Sequence, residues 1–318
     1  MPVRENSRLA IVGAGAVGTA LAYASLIRET AREVVLYDID ETRVNAEILD
    51  LAHGTPFTGS SAISGGADLD VVAGANVVVV TAGAKQHPGQ SRLDLAGVNV
   101  EILRDLMPAI VERAPDAVVM LVTNPCDVLA VAAQRFSGLE PSRVFSSGTV
   151  LDSSRLRWRL AERLGVSASS VHAMIVGEHG DSEFPLWSQS RIGPIPIREW
   201  RDDAGESLSV EELDEIADEV KNAAYTVIAG KGATNYAIGL SGARIVEAIL
   251  RDEGAILPVS SVLSDYHGVD GVALSVPSIV DAGGVSRVID TPFSADEERQ
   301  LHHSASAIRA SLEALGLS

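Results

Sequence analysis

The chain has 318 residues, 46% of them hydrophobic, with 43 acidic against 25 basic side chains and a formal net charge of −18. That length and apolar content support two ordinary domains or one large domain around a sizeable core, and no apolar run reaches membrane-spanning length. Such acidity argues against nucleic acid as a partner and repels small carboxylates at long range, so any acid-binding site must concentrate positive charge of its own.

In chain order, the polar Met1 to Ser7 carries no signal-peptide core. An apolar strand from Leu9 to Val12 then runs into Gly13-x-Gly15-x-x-Gly18 and a small-residue helix from Ala16 to Arg28. Gly13 suits the tight turn, Gly15 lets a pyrophosphate approach the backbone, and Gly18 lets helix and strand pack closely. A second strand, from Glu33, ends in Asp38 twenty residues beyond Gly18. A carboxylate there accepts hydrogen bonds from a ribose and repels a 2′-phosphate, so NAD is expected over NADP.

A helix from Glu41 to Leu51 follows, then strands at Val77–Ala82, Ala117–Thr123 and Val144–Ser147, with helices from about Leu93 to Arg113 and Val128 to Arg135. The lone cysteine, Cys126, excludes an intrachain disulfide framework, fits a reducing, cytoplasmic compartment, and reads as a packed thiol at a helix start. Strands alternating with helices predict an α/β fold with a doubly wound parallel Rossmann sheet. Ligands then gather beyond the strands' carboxyl ends, where Gly13, Asp38, Gly83, Asn124 and Gly148 fall.

After Gly148 the texture becomes α+β: a helix opened by Leu151-Asp152-x-x-Arg155, extended segments around Gly193-Pro194, and helices at Leu208–Ala229, Thr234–Arg251 and Asp296–Leu315. The last carries an apolar stripe at Leu301, Ile308, Leu312 and Leu315, and Arg201–Glu206 reads as an exposed loop. Two domains are expected, a cofactor-binding unit over 1–148 and a catalytic, substrate-binding unit over 149–318. No linear spacing here suggests a metal site, and His302-His303 read as solvated.

Within the second unit, Ala173-Met174-Ile175-Val176 ends abruptly in Gly177-Glu178-His179-Gly180-Asp181. A histidine at a strand end is more often structural; placed in a cleft, it exchanges protons at neutral pH. Asp152 and Arg155 share a helix face, which by itself suggests a surface ion pair. In a crevice the same spacing aims a carboxylate at His179 and a guanidinium fork at a substrate carboxylate. The loop from Thr81 to Leu93 is rich in Gly, Pro and polar residues and brings Arg92 to a helix start.

In their order and spacing, Gly13-x-Gly15-x-x-Gly18, Asp38, the Arg92 loop, Thr123-Asn124-Pro125, Leu151-Asp152-x-x-Arg155 and Gly177–Asp181 resemble the L-lactate and malate dehydrogenases from about Ser7 to Leu315. The resemblance implies NAD bound by Gly13, Gly15, Val17, Gly18, Asp38, Gly83 and Asn124. It makes His179 the proton donor and acceptor, Asp152 its orienting partner, Arg92 the polariser of the substrate carbonyl and Arg155 the carboxylate clamp. Asn124 and Thr234 would line the substrate pocket.

Malate enzymes of the family carry arginine where the lactate enzymes carry glutamine, and the aligned residue is Gln86. Oxaloacetate's second carboxylate would meet no partner there, at a cost of several kcal/mol, about as for an unpaired buried ion. The expected reaction is therefore reversible reduction of pyruvate to L-lactate, with malate or a bulkier 2-hydroxy acid as the alternative. A catalytically silent NAD-binding protein is a further alternative, disfavoured by the intact set of His179, Asp152, Arg92 and Arg155. The resemblance also implies a homotetramer. Arg157 and His172 align with an arginine and a histidine that, in bacterial lactate dehydrogenases activated by fructose 1,6-bisphosphate, bind the effector at a two-fold interface.

Overall fold

The computed structural model describes residues 6–84, 92–202 and 204–317, with Arg92 by its backbone alone. Within them, six parallel strands form one half of the central sheet: β1 (Arg8–Val12), β2 (Glu33–Tyr37), β3 (Ala62–Gly66), β4 (Val77–Val80), β5 (Val118–Leu121) and β6 (Val144–Ser146). Their spatial order is β3-β2-β1-β4-β5-β6. The order reverses between β1 and β4, and the crevice at that point is where a doubly wound sheet binds ligands.

The strands belong to this sheet because both faces are apolar. Leu9, Ile11, Val77, Val79, Val118 and Met120 enter one core cluster, while Ala10, Val12, Val78, Val80, Val119 and Leu121 enter the other. This is the two-residue alternation of a strand covered on both sides. Helices α1 (Ala16–Arg28) and α2 (Glu41–Gly54) pack on the first face, and α3 (Arg92–Arg113) and α4 (Cys126–Ser137) on the second. The edge strand β3, Ala-Ile-Ser-Gly-Gly, goes unseen in the sequence because two glycines and exposed edge positions leave it no strand-like pattern.

In the second half, α5 (Val150–Leu164) leads to short strands β7 (Val171–His172), β8 (Ile175–Val176), β9 (Phe184–Pro185), β10 (Arg191–Ile192) and β11 (Ile195–Pro196). Helices α6 (Val210–Lys231) and α7 (Tyr236–Leu250), strands β12 (Ala255–Val262), β13 (Ala273–Asp281) and β14 (Gly284–Val288), and α8 (Ala295–Ala314) complete it. Capping boxes at Ser209/Glu212 and Ser294/Glu297 start α6 and α8. Leu301, Ile308 and Leu312 of α8 are buried, with Leu315 packed against the same cluster.

The sheet runs on past Gly148. β12 joins β6 antiparallel through Ser260 and Ser146, and β13 and β14 extend it to nine strands. A separate apolar cluster under α5 and α6, including Leu156, Leu160, Ile175, Leu213 and Ile216, gives the second half its own core.

Candidate active site

The glycine turn after β1 is built as its motif requires. Gly13 has φ +115° and its amide donates to the Tyr37 carbonyl at 2.7 Å. A side chain on Gly18 would lie 1.9 Å from the Gly13 oxygen, so only glycine lets α1 approach the strand. Around Gly15 a Cβ would meet nothing within 4 Å, which leaves the side of the turn facing away from the protein open to a ligand. No side chain caps α1, so its first-turn amides, with Val17 among them, and the helix's positive end suit an anion.

Asp38, just past β2, is held at this turn. Its Oδ2 accepts from the Ala14 amide at 2.7 Å and its Oδ1 from the Asp40 amide at 3.0 Å. An open glycine cradle, unfilled helix amides and a fixed carboxylate fit the diphosphate and ribose of NAD. Gly15→Val is expected to abolish NADH binding and leave the melting temperature unchanged, because its side chain enters the ligand's space and strikes no protein atom. Titration of NADH fluorescence beside a thermal melt checks this.

The loops after β4 and β5 come together at the same crevice. Asn99 Oδ1 accepts from the Ala84 amide at 2.7 Å and its Nδ2 donates to the Asn124 carbonyl at 2.9 Å. A Cβ on Gly83 would lie 2.3 Å from Thr123 Cγ2, so Gly83 is required for this close approach. The Asn124 side chain is exposed. Gln86 lies outside the described residues, as does the side chain of Arg92; the Arg92 backbone begins α3.

The proton-transfer centre is assembled from residues far apart in sequence. β8 and β9 pair antiparallel, Ile175 with Pro185 and Val176 with Phe184, so the Gly177–Glu183 loop closes a hairpin. Gly177, at φ +92°, exchanges two 2.9 Å backbone bonds with Ser275 of β13. The start of α5 is sewn to β8: Thr149 Oγ1 donates to the Ile175 carbonyl at 2.6 Å, and Ser153 Oγ accepts from the Ile175 amide at 2.8 Å. These bonds bring Asp152 to His179.

His179 Nδ1 and Asp152 Oδ2 are 2.7 Å apart. An ionised carboxylate only accepts, so Nδ1 carries the donated proton and Nε2 is left to serve a substrate. Arg155 Nη1 donates to the other Asp152 oxygen at 2.6 Å. The His179 amide donates to Asp127 Oδ2, also at 2.7 Å. Asp127 and Asp152 each lie in the first turn of a helix, where the dipole favours negative charge.

Electrostatics follow from this packing. Burial opposes a charge on His179, but Asp152, by charge and hydrogen bond, and then Glu183 and Asp127, outweigh it and raise its pKa to about 9. Burial also opposes the Asp152 charge, yet His179 and Arg155 hold its carboxyl below the usual range. Burial pushes Asp127 up to about 6 and, with the Asp152 charge added, Glu183 up to about 8. Cys126 opens α4 as a fully packed thiol whose pKa burial raises well above its ordinary value, so it is no nucleophile at neutral pH.

Two of these groups, Asp127 and Glu183, escaped the sequence reading. Asp127 carried the signal of an acid at a helix start beside Asn124-Pro125; Glu183 carried none, because only the hairpin buries it. One polar side-chain atom from each of Asp152, His179 and Glu183 lies within 4.8 Å of the other two, a grouping that no linear spacing announces. Residues 27 and 31 apart in sequence form no motif, and a cation there would have to displace the Asp152–His179 bond.

The remaining expected residues are more scattered. Thr234 lies between α6 and α7, its hydroxyl buried with no hydrogen-bond partner among the described residues. Arg157, on α5, is partly buried, and its Nε donates to the Ser153 carbonyl at 3.2 Å. His172 is exposed on β7, opposite Arg191. No hydrogen bond joins Arg157 to His172.

Residues 7–146 match the family model of the lactate/malate dehydrogenase NAD binding domain, and residues 149–315 match that of the lactate/malate dehydrogenase alpha/beta C-terminal domain. The chain belongs to the lactate/malate dehydrogenase family. Within this family it is 50% identical over 313 residues to an L-lactate dehydrogenase of Bifidobacterium animalis subsp. lactis, covering 98% of both chains. Its fold matches a crystal structure of a lactate dehydrogenase from a Medee basin deep-sea metagenome library, with TM-score 0.94 and 36% identity over 98% of this chain and 99% of that one. A ligand-bound minor L-lactate dehydrogenase of Enterococcus mundtii matches with TM-score 0.92 and 40% identity, covering 97% and 98% of the two chains. Membership makes the chain an NAD-dependent oxidoreductase. Among the described residues no helix is long and apolar enough to cross a membrane.

Proposed function

We propose that this dehydrogenase reversibly reduces pyruvate to L-lactate, with residues 1–148 as its cofactor unit and 149–318 as its catalytic unit. The observation that carries the reading is the 2.7 Å bond between His179 Nδ1 and Asp152, which fixes the ring with Nε2 available to a substrate oxygen. NADH, when bound, supplies the hydride. His179, protonated at neutral pH by its carboxylate neighbours, gives its proton to the substrate oxygen as charge develops there, and Asp152 keeps the ring in one orientation. Arg155, held by one nitrogen against Asp152, presents its remaining donors to the substrate carboxylate, and Arg92 is assigned to polarise the carbonyl. In the reverse direction neutral His179 takes the alcohol proton.

Pyruvate is favoured over oxaloacetate by Gln86 and by the L-lactate dehydrogenases among the relatives. NADH oxidation with pyruvate, oxaloacetate and a bulkier 2-keto acid tests it. Pyruvate is expected to give the highest kcat/KM, and a strong oxaloacetate preference would overturn the role given to Gln86.

A fructose 1,6-bisphosphate site at Arg157 and His172 of a homotetramer accompanies this reading. Arg157 has no ion pair with another described residue, and burial lowers its pKa, as in an arginine kept for an anion. Exposed apolar side chains such as Phe57 and Tyr236 favour assembly, and the lone cysteine fits a reducing cytoplasm. The effector is expected to lower the apparent KM for pyruvate in the parent and leave it unchanged in Arg157→Gln.

A further inference from the structure

We infer that Glu183 is a positioning residue for the transferred proton: its carboxyl, gathered with Asp152 around the His179 ring, sets how firmly the ring holds that proton and so where reduction fails on the alkaline side. This rests on His179 as the acid of the proposed reaction.

Glu183 ends the loop that begins at Gly177, and its amide donates to the Gly180 carbonyl at 3.3 Å. It is 6% exposed, with ligand atoms of Glu183, Asp152 and His179 all within 4.8 Å of one another. A buried carboxyl so close to an imidazolium and another carboxylate cannot change charge without moving the proton affinity of the ring.

The groups acting on Glu183 come from three elements: Asp152 and Arg155 on α5, His179 on its own loop, and Lys221 on α6. Asp152 favours its protonated form; His179, Arg155 and Lys221 favour the ionised one. Asp127, from α4, acts on the ring from its backbone side. Burial and the Asp152 charge raise Glu183 into the range where His179, itself raised by its carboxylate neighbours, loses its proton. The two therefore titrate as a coupled pair, and a negative charge on Glu183 favours the imidazolium.

The test compares the parent enzyme with Glu183→Gln and Glu183→Asp by two measurements. One is kcat/KM for pyruvate reduction from about pH 6 to about pH 10; the other is the rate at which diethyl pyrocarbonate modifies His179 in the cofactor-free protein over the same range. In Glu183→Gln the alkaline limb should move down by about one unit, roughly tenfold on that limb, with a smaller change on the acid side. The modification profile should move with it, and Glu183→Asp should restore most of the shift. A uniform loss at every pH, or a limb and modification profile left in place, would overturn the inference and leave Glu183 a packing residue. Should the parent itself ignore 2-keto acids, the proposed reaction fails, and the modification profile decides the role of Glu183 alone. If Glu183→Gln does not fold, Glu183→Met, of similar length and without charge, takes its place: a modification profile moved down supports the inference and one left in place overturns it.

Discussion

Replacing His179 by asparagine is expected to lower kcat for pyruvate reduction by about two to four orders of magnitude, the usual contribution of a positioned general acid. Asparagine retains the main-chain amide that donates to Asp127 and places a side-chain donor toward Asp152, so the loop and the buried carboxylates keep partners. What it lacks is a titratable proton at the position of Nε2. NADH affinity should stay near the parent value, because none of the bonds that hold the glycine turn and Asp38 involves His179. Steady-state kinetics with a parallel NADH titration check both halves, and a variant within about fivefold of the parent would remove His179 from the proton path.

The second large effect is expected at Arg155. Its Nη1 is committed to Asp152 at 2.6 Å, so only a guanidinium can hold that bond and still offer a second, planar pair of donors to a carboxylate. Arg155→Lys keeps a cation but must divide it between the two anions. The expected outcome is a rise in KM for pyruvate of roughly thirtyfold or more, corresponding to about 2 kcal/mol for a lost buried charge-assisted contact, with a smaller change in kcat. A similar fall in kcat with KM unchanged would instead make Arg155 a stabiliser of the transition state alone. Pre-steady-state binding of a non-reducible pyruvate analogue separates the two.

The glycine turn, Asp38 and the alternation of β1 to β6 with α1 to α4 could be read from the chain because each is a local property. A tight turn demands glycine within three residues, and a sheet buried on both faces demands continuous apolar strands. His179 could be found for the same reason: the abrupt change from Ile175-Val176 to Gly177-Glu178-His179 marks a strand end. Asp152 and Arg155 could be paired on one helix face by spacing alone. That Asp152 meets His179, and not solvent, depends on Thr149 and Ser153 binding β8, which no local pattern announces.

Other features were illegible for a definite physical reason. β3 has glycines and an exposed edge where a strand pattern would be, and it exists because β2 offers it an open edge to pair with. β12 to β14 continue the first half's sheet only because Ser146 and Ser260 come into register across more than a hundred residues. Glu183 reads as one more acid in an acidic chain until the β8–β9 hairpin turns it inward. By itself, then, the sequence determined the repeating β-α architecture and the cofactor turn, both set by backbone stereochemistry and short-range patterning, while the roles expected of His179, Asp152 and Arg155 came from the family resemblance. Tertiary structure alone decided which carboxylates surround His179, how deeply they are buried and hence the proton affinity of the site, because desolvation and charge coupling act through distances in space that sequence separation does not encode.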